Sequence, residues 1–160
     1  MKALCPALFA AALIHATPAF AEPSSASPLL GVWAVDVAKL PTPPAERPKS
    51  VTITYSDAGA GKWRTQVDVV LPDGKAVQAV STYTPDGTAT AVEGNLEADM
   101  AAVRLPEPDV MVTALARGGQ PASMRSYTVS PDGKTMTETV VYFTAEGRPA
   151  MRTNYFNRVR

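Results

Sequence analysis

The sequence predicts an all-β protein, an up-and-down antiparallel β-barrel of about eight strands. Polar and apolar residues alternate with a period of two along most of the chain after residue 50, in segments rich in β-branched and aromatic side chains. The tripeptide Pro-Asp-Gly stands three times, at residues 72–74, 85–87 and 131–133. Because Gly accepts a positive φ and Pro presets the bend before it, each copy is typical of a tight hairpin turn.

The predicted strands follow one another with short connections, apart from one crossing. Residues 40–49 hold four prolines and predict an extended loop, because proline cannot donate a hydrogen bond to a β-ladder. Residues 62–71 alternate most plainly, with Trp63 and Val67 on one face and Arg64 and Asp68 on the other. In chain order, the predicted strands are residues 29–37, 50–56, 62–71, 75–84, 100–105, 109–116, 122–130, 134–144 and 150–160.

Eight or nine such strands in an open sheet would leave two exposed edges. Closing the sheet into a barrel removes both edges, and a barrel of about eight strands is either filled by side chains or holds one small ligand. A sandwich of two packed sheets is the alternative architecture for the same pattern. The length of 160 residues suits one such domain.

The first 21 residues have the pattern of a secretory signal peptide. Lys2 precedes the apolar run of residues 7–14, and Ala19-Phe20-Ala21 fits a cleavage site after Ala21. A membrane anchor is the alternative, but the apolar run is too short to span a bilayer. We therefore predict a periplasmic or secreted protein without an integral membrane segment in its mature form. We also predict that residues 22–28 form a disordered leader and that residues 29–160 form a single barrel domain.

Cleavage would remove Cys5 and His15, the only cysteine and the only histidine. The mature chain would then have no thiolate nucleophile, no Ser-His-Asp triad and no zinc site built on Cys or His. Charge is balanced, with fifteen basic and fifteen acidic side chains and no basic run. We expect no nucleic-acid partner, no cofactor and no metal.

Gly31-Val32-Trp33, on the first predicted strand, is similar to the Gly-x-Trp signature of lipocalins and other calycin barrels. In that superfamily the Trp closes one end of the barrel, and an Arg of the last strand lies over its ring. Arg158 matches this second position. A guanidinium over an indole face is a favourable cation–π contact. The resemblance thus implies that Gly31, Trp33 and Arg158 form a structural barrel plug.

Nearly the whole mature chain resembles a lipocalin-like, calycin-type family of small bacterial exported proteins of uncharacterised role. The resemblance implies a barrel and an envelope location, and it brings no catalytic residues. Residues 83–87 depart from the Tyr-Asp-Gly-Lys that the family usually has there. The motifs that carry the resemblance are Trp33 with Asp36 and Lys39, then Pro48-Lys49-Ser50, then residues 128–135 (TVSPDGKT).

Aromatic side chains are the candidate ligand-binding residues. Alternation puts Tyr55 and Trp63 in phase with apolar neighbours, so both could face the barrel interior, together with Tyr83 and Tyr142. The alternative is that these four side chains only fill the core, since a small barrel needs bulky residues inside.

Glu138 is the carboxylate that could point inward, because Met136 and Val140 share its parity. An inward carboxylate would have a raised pKa or a partner such as Arg125 or Arg152. The other parity carries Thr139 and apolar residues, so the facing stays ambiguous. A solvent-exposed residue or a structural ion pair is the preferred interpretation of Glu138, ahead of a catalytic acid.

Three functions fit this reasoning. The first is a non-enzymatic exported barrel that binds a small apolar or amphipathic ligand. The second is an envelope protein-interaction or stress module with a solid core. The third is an enzyme that uses carboxylates. A cavity of several hundred cubic ångströms would favour the first, and an exposed apolar patch the second.

Overall fold

The computed structural model describes residues 26–94 and 97–159 of the chain. The predicted signal peptide and residues 22–25 of the predicted leader lie outside the described residues. In the described part, ten β-strands form one antiparallel sheet that curls into a nearly closed barrel. The strands are β1 (Gly31–Val35), β2 (Ser50–Gly59), β3 (Lys62–Val70), β4 (Ala76–Tyr83), β5 (Asp86–Ala91), β6 (Met100–Glu107), β7 (Val110–Arg117), β8 (Gln120–Val129), β9 (Thr135–Phe143) and β10 (Pro149–Arg158).

The barrel is all-β as predicted, but ten strands replace the expected number of about eight. The strand that alternation does not reveal is β5, whose sequence DGTATA has no large apolar side chain. Its first two residues are Asp86 and Gly87 of the second Pro-Asp-Gly, which the pattern assigns to a turn. The proline-rich crossing between β1 and β2 contains two single-turn 3-10 helices, Val37–Lys39 and Pro44–Glu46.

The first and last strands of the barrel are neighbours. Trp33 and Ala34 of β1 pair with Arg158 and Asn157 of β10, and the other strands pair in chain order on both sides. The two edges of the sheet are therefore β4 and β5, in the middle of the chain. The closure that removes sheet edges is complete between β1 and β10 and partial between β4 and β5.

A short seam joins the edges at β4 and β5. Val80 N–H donates to the Glu93 carbonyl at 3.0 Å, and Glu93 N–H donates back at 2.8 Å. Ser81 Oγ donates to the carbonyl of Ala91 at 3.0 Å. At Gly94, which has a φ of +89°, a Cβ would lie 1.9 Å from the Gln78 carbonyl oxygen, so the seam needs glycine at this position. The second Pro-Asp-Gly connects the edge strands β4 and β5, which pair only at this seam. The first and third connect the fully paired hairpins β3–β4 and β8–β9.

The antiparallel order gives the barrel two ends with different connections. One end, called the floor here, receives the chain before β1 and carries the β2–β3, β4–β5, β6–β7 and β8–β9 connections. The other end, called the mouth, carries the proline-rich crossing and the remaining connections. Within the described residues, no helix has the length and apolar character needed to cross a membrane.

The floor is closed by Trp33, which is fully buried. Its Nε1 donates to the Leu29 carbonyl at 2.8 Å, and the Arg158 guanidinium carbon lies 4.1 Å from the ring centroid. Arg158 also donates to the carbonyls of Leu30 at 2.8 Å and Gly133 at 2.5 Å, and it contacts the carbonyl of Pro28. One guanidinium thus connects the chain before β1, the β8–β9 turn and β10.

Candidate functional site

A cavity of about 720 Å³ occupies the barrel above the floor. Buried side chains such as Ile53 and Phe156 line its inner part. At the mouth it is lined by the exposed residues Pro41, Glu46 and Pro72, so it opens to solvent there. Its volume lies within the usual range for small-molecule sites, about 300–1,000 Å³.

The wall formed by β2, β3 and β4 gives the cavity an apolar side. Val51 and Ile53 of β2 and Val67 of β3 line it, because alternation turns every second side chain inward. Ala79 of β4 lies beside Val67, and its small side chain leaves space. This wall can pack against the apolar body of a ligand.

The opposite wall, formed by β8, β9 and β10, carries a buried polar cluster around Glu138. The side chain of Glu138 is only 2% exposed. Its Oε1 accepts hydrogen bonds from Tyr127 Oη at 2.7 Å and Arg125 Nη1 at 3.1 Å, and its Oε2 accepts from Asn154 Nδ2 at 2.6 Å. Glu138 is thus a buried ion-pair partner and not a solvent residue. These three donors hold the carboxylate of Glu138 in one position.

Two arginines lie one level nearer the mouth than this cluster. The sheet register aligns Arg125 of β8 with Val140 of β9, and Val140 with Arg152 of β10, so both arginines face the cavity at the same height. Arg125 forms ion pairs with Glu138 and with Glu97, which reaches in from the β5–β6 connection. The Arg152 guanidinium carbon lies 5.5 Å from the ring centroid of Tyr142.

Burial of the tyrosines changes their acidity. Burial raises the pKa of Tyr83 to about 12, and the hydrogen bond of its hydroxyl with Thr65 Oγ1, 2.7 Å long, opposes this shift. Burial also raises the pKa of Tyr55 and that of Tyr127, and the negative charge of Glu138 raises both further. The rings of Tyr55 and Tyr127 meet edge to face with centroids 6.1 Å apart. All three hydroxyls are therefore neutral at physiological pH.

The structure places the candidate ligand residues as follows. Tyr55, Tyr83 and Tyr142 line the cavity. Trp63 is half-buried, packs against the hydrophobic core and does not line the cavity. Gly31, Trp33 and Arg158 lie together at the floor, where Gly31 has a φ of +133°.

Sequence reasoning missed Tyr127 and Asn154, both of which contact Glu138. Their parity could have found them, since Tyr127 shares a face with Val129, and Asn154 with Phe156. Within residues 26–94 and 97–159, no three Cys, His, Asp or Glu side chains lie close enough to hold a metal ion. What the arrangement can do is pack an apolar body on one wall and hydrogen-bond a polar head on the other.

The sequence matches no protein-family model and no curated protein. The geometry of the cavity is therefore the main guide to function.

Proposed function

We propose that this chain is a non-enzymatic, exported, lipocalin-like carrier that binds one small amphipathic molecule inside its barrel. The observation that supports this proposal is the cavity of about 720 Å³, open at one end and closed at the other. A barrel that served only as a solid scaffold would gain stability by filling such a space, because empty apolar volume costs packing energy.

The two walls define the ligand class. An apolar molecule would bind the apolar wall but leave Arg152 with no ligand group, and a fully polar molecule would not match Val51, Ile53 and Val67. An amphipathic molecule with its head at the arginines and its body against β2 and β3 uses both surfaces. Its head would lie inside the barrel and its tail would point towards the mouth.

Support for the lipocalin-like assignment and for export comes from the sequence pattern. The Gly-x-Trp segment and Arg158 meet over the floor with the cation–π geometry that the resemblance implies. The signal-peptide pattern of residues 1–21 supports a periplasmic or secreted location.

The test uses N-phenyl-1-naphthylamine, a neutral apolar dye that fluoresces when it leaves water. Ala101 of β6 faces the cavity and Ala102 faces outward, so Ala101→Phe fills the cavity while Ala102→Phe is a matched control. We expect dye binding to the parent, loss of at least tenfold in affinity in Ala101→Phe, and parental affinity in Ala102→Phe. A folded parent that leaves the dye dark, or equal binding by both variants, would contradict the carrier function.

One observation favours the second candidate, an envelope protein-interaction module. The register aligns five apolar side chains in a row on the outside of adjacent strands, and two of them are strongly exposed, Met124 at 55% and Met151 at 72%. The row consists of Ala102, Ala114, Met124, Val141 and Met151.

Native mass spectrometry of the protein purified from its own cell envelope separates the two functions. A bound small molecule supports the carrier, and a co-purifying protein that Met124→Gln releases supports the module.

A further inference from the structure

The guanidinium of Arg125 is shared by two carboxylates that are held very differently. Glu138, on its Nη1 side at 3.1 Å, has a side chain 2% exposed and is bound by Tyr127 and Asn154 as well. Glu97, on its Nη2 side, has a side chain 56% exposed. Glu138 is therefore a fixed partner, whereas Glu97 can exchange with solvent or with another anion.

Charge balance at this level of the cavity depends on Glu97. Arg125 and Arg152 both face inward, and Glu138 can neutralise only one of them. Among the described residues, Arg152 forms no ion pair, since its guanidinium lies over Tyr142 instead. A cavity lined largely by apolar side chains favours neutralisation of the second positive charge by an anion.

We infer that Glu97 occupies the head-group position of an amphipathic carboxylate, and that such a ligand binds by displacing Glu97 from Arg125. This inference rests on the proposed function, because it requires that the cavity holds a ligand. Arg is suited to the exchange, since the Nη2 group that contacts Glu97 can donate in the same way to the carboxylate of a ligand. Glu97 thus lowers the affinity for carboxylate ligands, which must compete with it for Arg125.

The position of Glu97 makes the exchange possible without rearranging the barrel. It belongs to the β5–β6 connection at the mouth, not to a strand, so the side chain can withdraw into solvent. Ala98, the next residue, is buried, so the chain on this side of Glu97 stays anchored when the carboxylate leaves. The cavity extends from Arg125 past Leu115 to the mouth, which leaves room for the tail of the ligand.

The experiment measures how dodecanoate and dodecanol displace N-phenyl-1-naphthylamine from the parent and from Glu97→Gln. The two probes share an apolar chain and differ in head-group charge. A partly exposed ion pair of this kind contributes modestly, so we expect Glu97→Gln to bind dodecanoate about two- to fivefold more tightly. Dodecanol affinity should change by less than about twofold, because a neutral head does not compete for the ion pair.

Glu46→Gln is the matched control. Glu46 also lines the mouth of the cavity and carries the same charge, but it forms no ion pair with the other described residues. If Glu46→Gln tightens dodecanoate binding as much as Glu97→Gln does, long-range charge explains the gain and displacement of Glu97 is refuted. A gain confined to Glu97→Gln supports displacement.

The variant Arg152→Gln is a second, independent test of whether the head group of the ligand binds the arginines. Loss of this cation should weaken dodecanoate several-fold and leave dodecanol unchanged, because Arg152 lies level with Arg125. If the dye binds the parent and Ala101→Phe abolishes binding, but dodecanoate and dodecanol respond equally to every variant, the Glu97 inference fails while the carrier function stands. If the dye never binds, the carrier function fails first.

Discussion

The wall of β2–β4 and the wall of β8–β10 distribute polar side chains differently. On β3, Val67 lines the cavity, while Arg64 and Asp68 lie on the outer face. On β9, Glu138 is buried inside, while Val141 and Phe143 lie outside. The period of two therefore has its usual meaning on one wall, whereas the inner face of the other wall combines a buried carboxylate with apolar residues such as Met136 and Val140. The second wall thus carries polar groups inside the barrel, where Arg125, Tyr127 and Asn154 bind Glu138.

The largest expected effect tests the buried carboxylate of the second wall directly. Glu138→Ala removes one partner of a buried ion pair and leaves Arg125 without its fixed carboxylate, so unfolding in urea should require about 3–5 kcal/mol less free energy. The neighbouring Thr137→Ala, on the outer face of the same strand, should change stability by less than about 0.5 kcal/mol. Equal effects at both positions would mean that Glu138 is not a buried ion-pair partner.

A comparable effect is expected where the two walls meet, at the floor. Trp33 pairs with Ile53 of β2 on one side and with Arg158 of β10 on the other. Trp33→Ala should lower the free energy of unfolding by about 3–5 kcal/mol, as large core truncations do.

Dye affinity separates this stabilising role from ligand binding. Because Trp33 does not line the cavity, Trp33→Ala should change dye affinity by less than about twofold where the protein stays folded. If Trp33→Ala melts like the parent, Trp33 is not the plug that joins the walls.

The smallest effect compares one tyrosine from each wall at alkaline pH. Burial raises the pKa of Tyr83, on β4, from an ordinary value of 10.0 to about 12, so the folded state keeps a proton that the unfolded chain loses. Stability should therefore fall as pH rises above about 10. Tyr83→Phe removes this titrating group and should flatten the decline seen in urea unfolding between pH 9 and 11. A decline as steep as the parent's would show that Tyr83 does not contribute.

Tyr127→Phe is the counterpart on the polar wall. This substitution also removes a titrating group with a raised pKa. In addition, it removes a hydrogen bond that Glu138 accepts at every pH. Both variants lose a hydrogen bond at neutral pH, but we expect Tyr127→Phe to lower stability there by more, because the Tyr127 hydroxyl bonds a buried carboxylate whereas Tyr83 bonds the neutral Thr65 hydroxyl. This contrast sharpens the distinction between a wall that fills space and a wall that holds a charge.

The sequence predicts the all-β class because alternation is local and most strands carry it. It does not predict β5, whose small and polar residues have no alternation to detect. Nor does it predict the seam at Val80 and Glu93, because pairing between strand edges depends on closure of the whole barrel. The first and third Pro-Asp-Gly are true hairpin turns, and only the fold distinguishes the second from them.

The candidate site is predictable only on its apolar wall. Tyr55 and Val67 face inward with apolar neighbours, as the pattern indicates. The facing of Glu138 is ambiguous in sequence because both parities of β9 mix polar and apolar residues. Its partners Tyr127 and Asn154 come from other strands. A polar cluster inside a barrel can therefore be recognised only when the register of neighbouring strands is known.

The adjacency of β1 and β10 has a consequence for how the molecule assembles. The Arg158 side chain bonds the carbonyl of Leu30, which lies 128 positions earlier in the chain. Contacts of such sequence separation delay folding, because a very large loop must close before they contribute. During synthesis β1 has β2 as a partner early but must wait for β10, which emerges last. The barrel can therefore become complete only after its final strand is available.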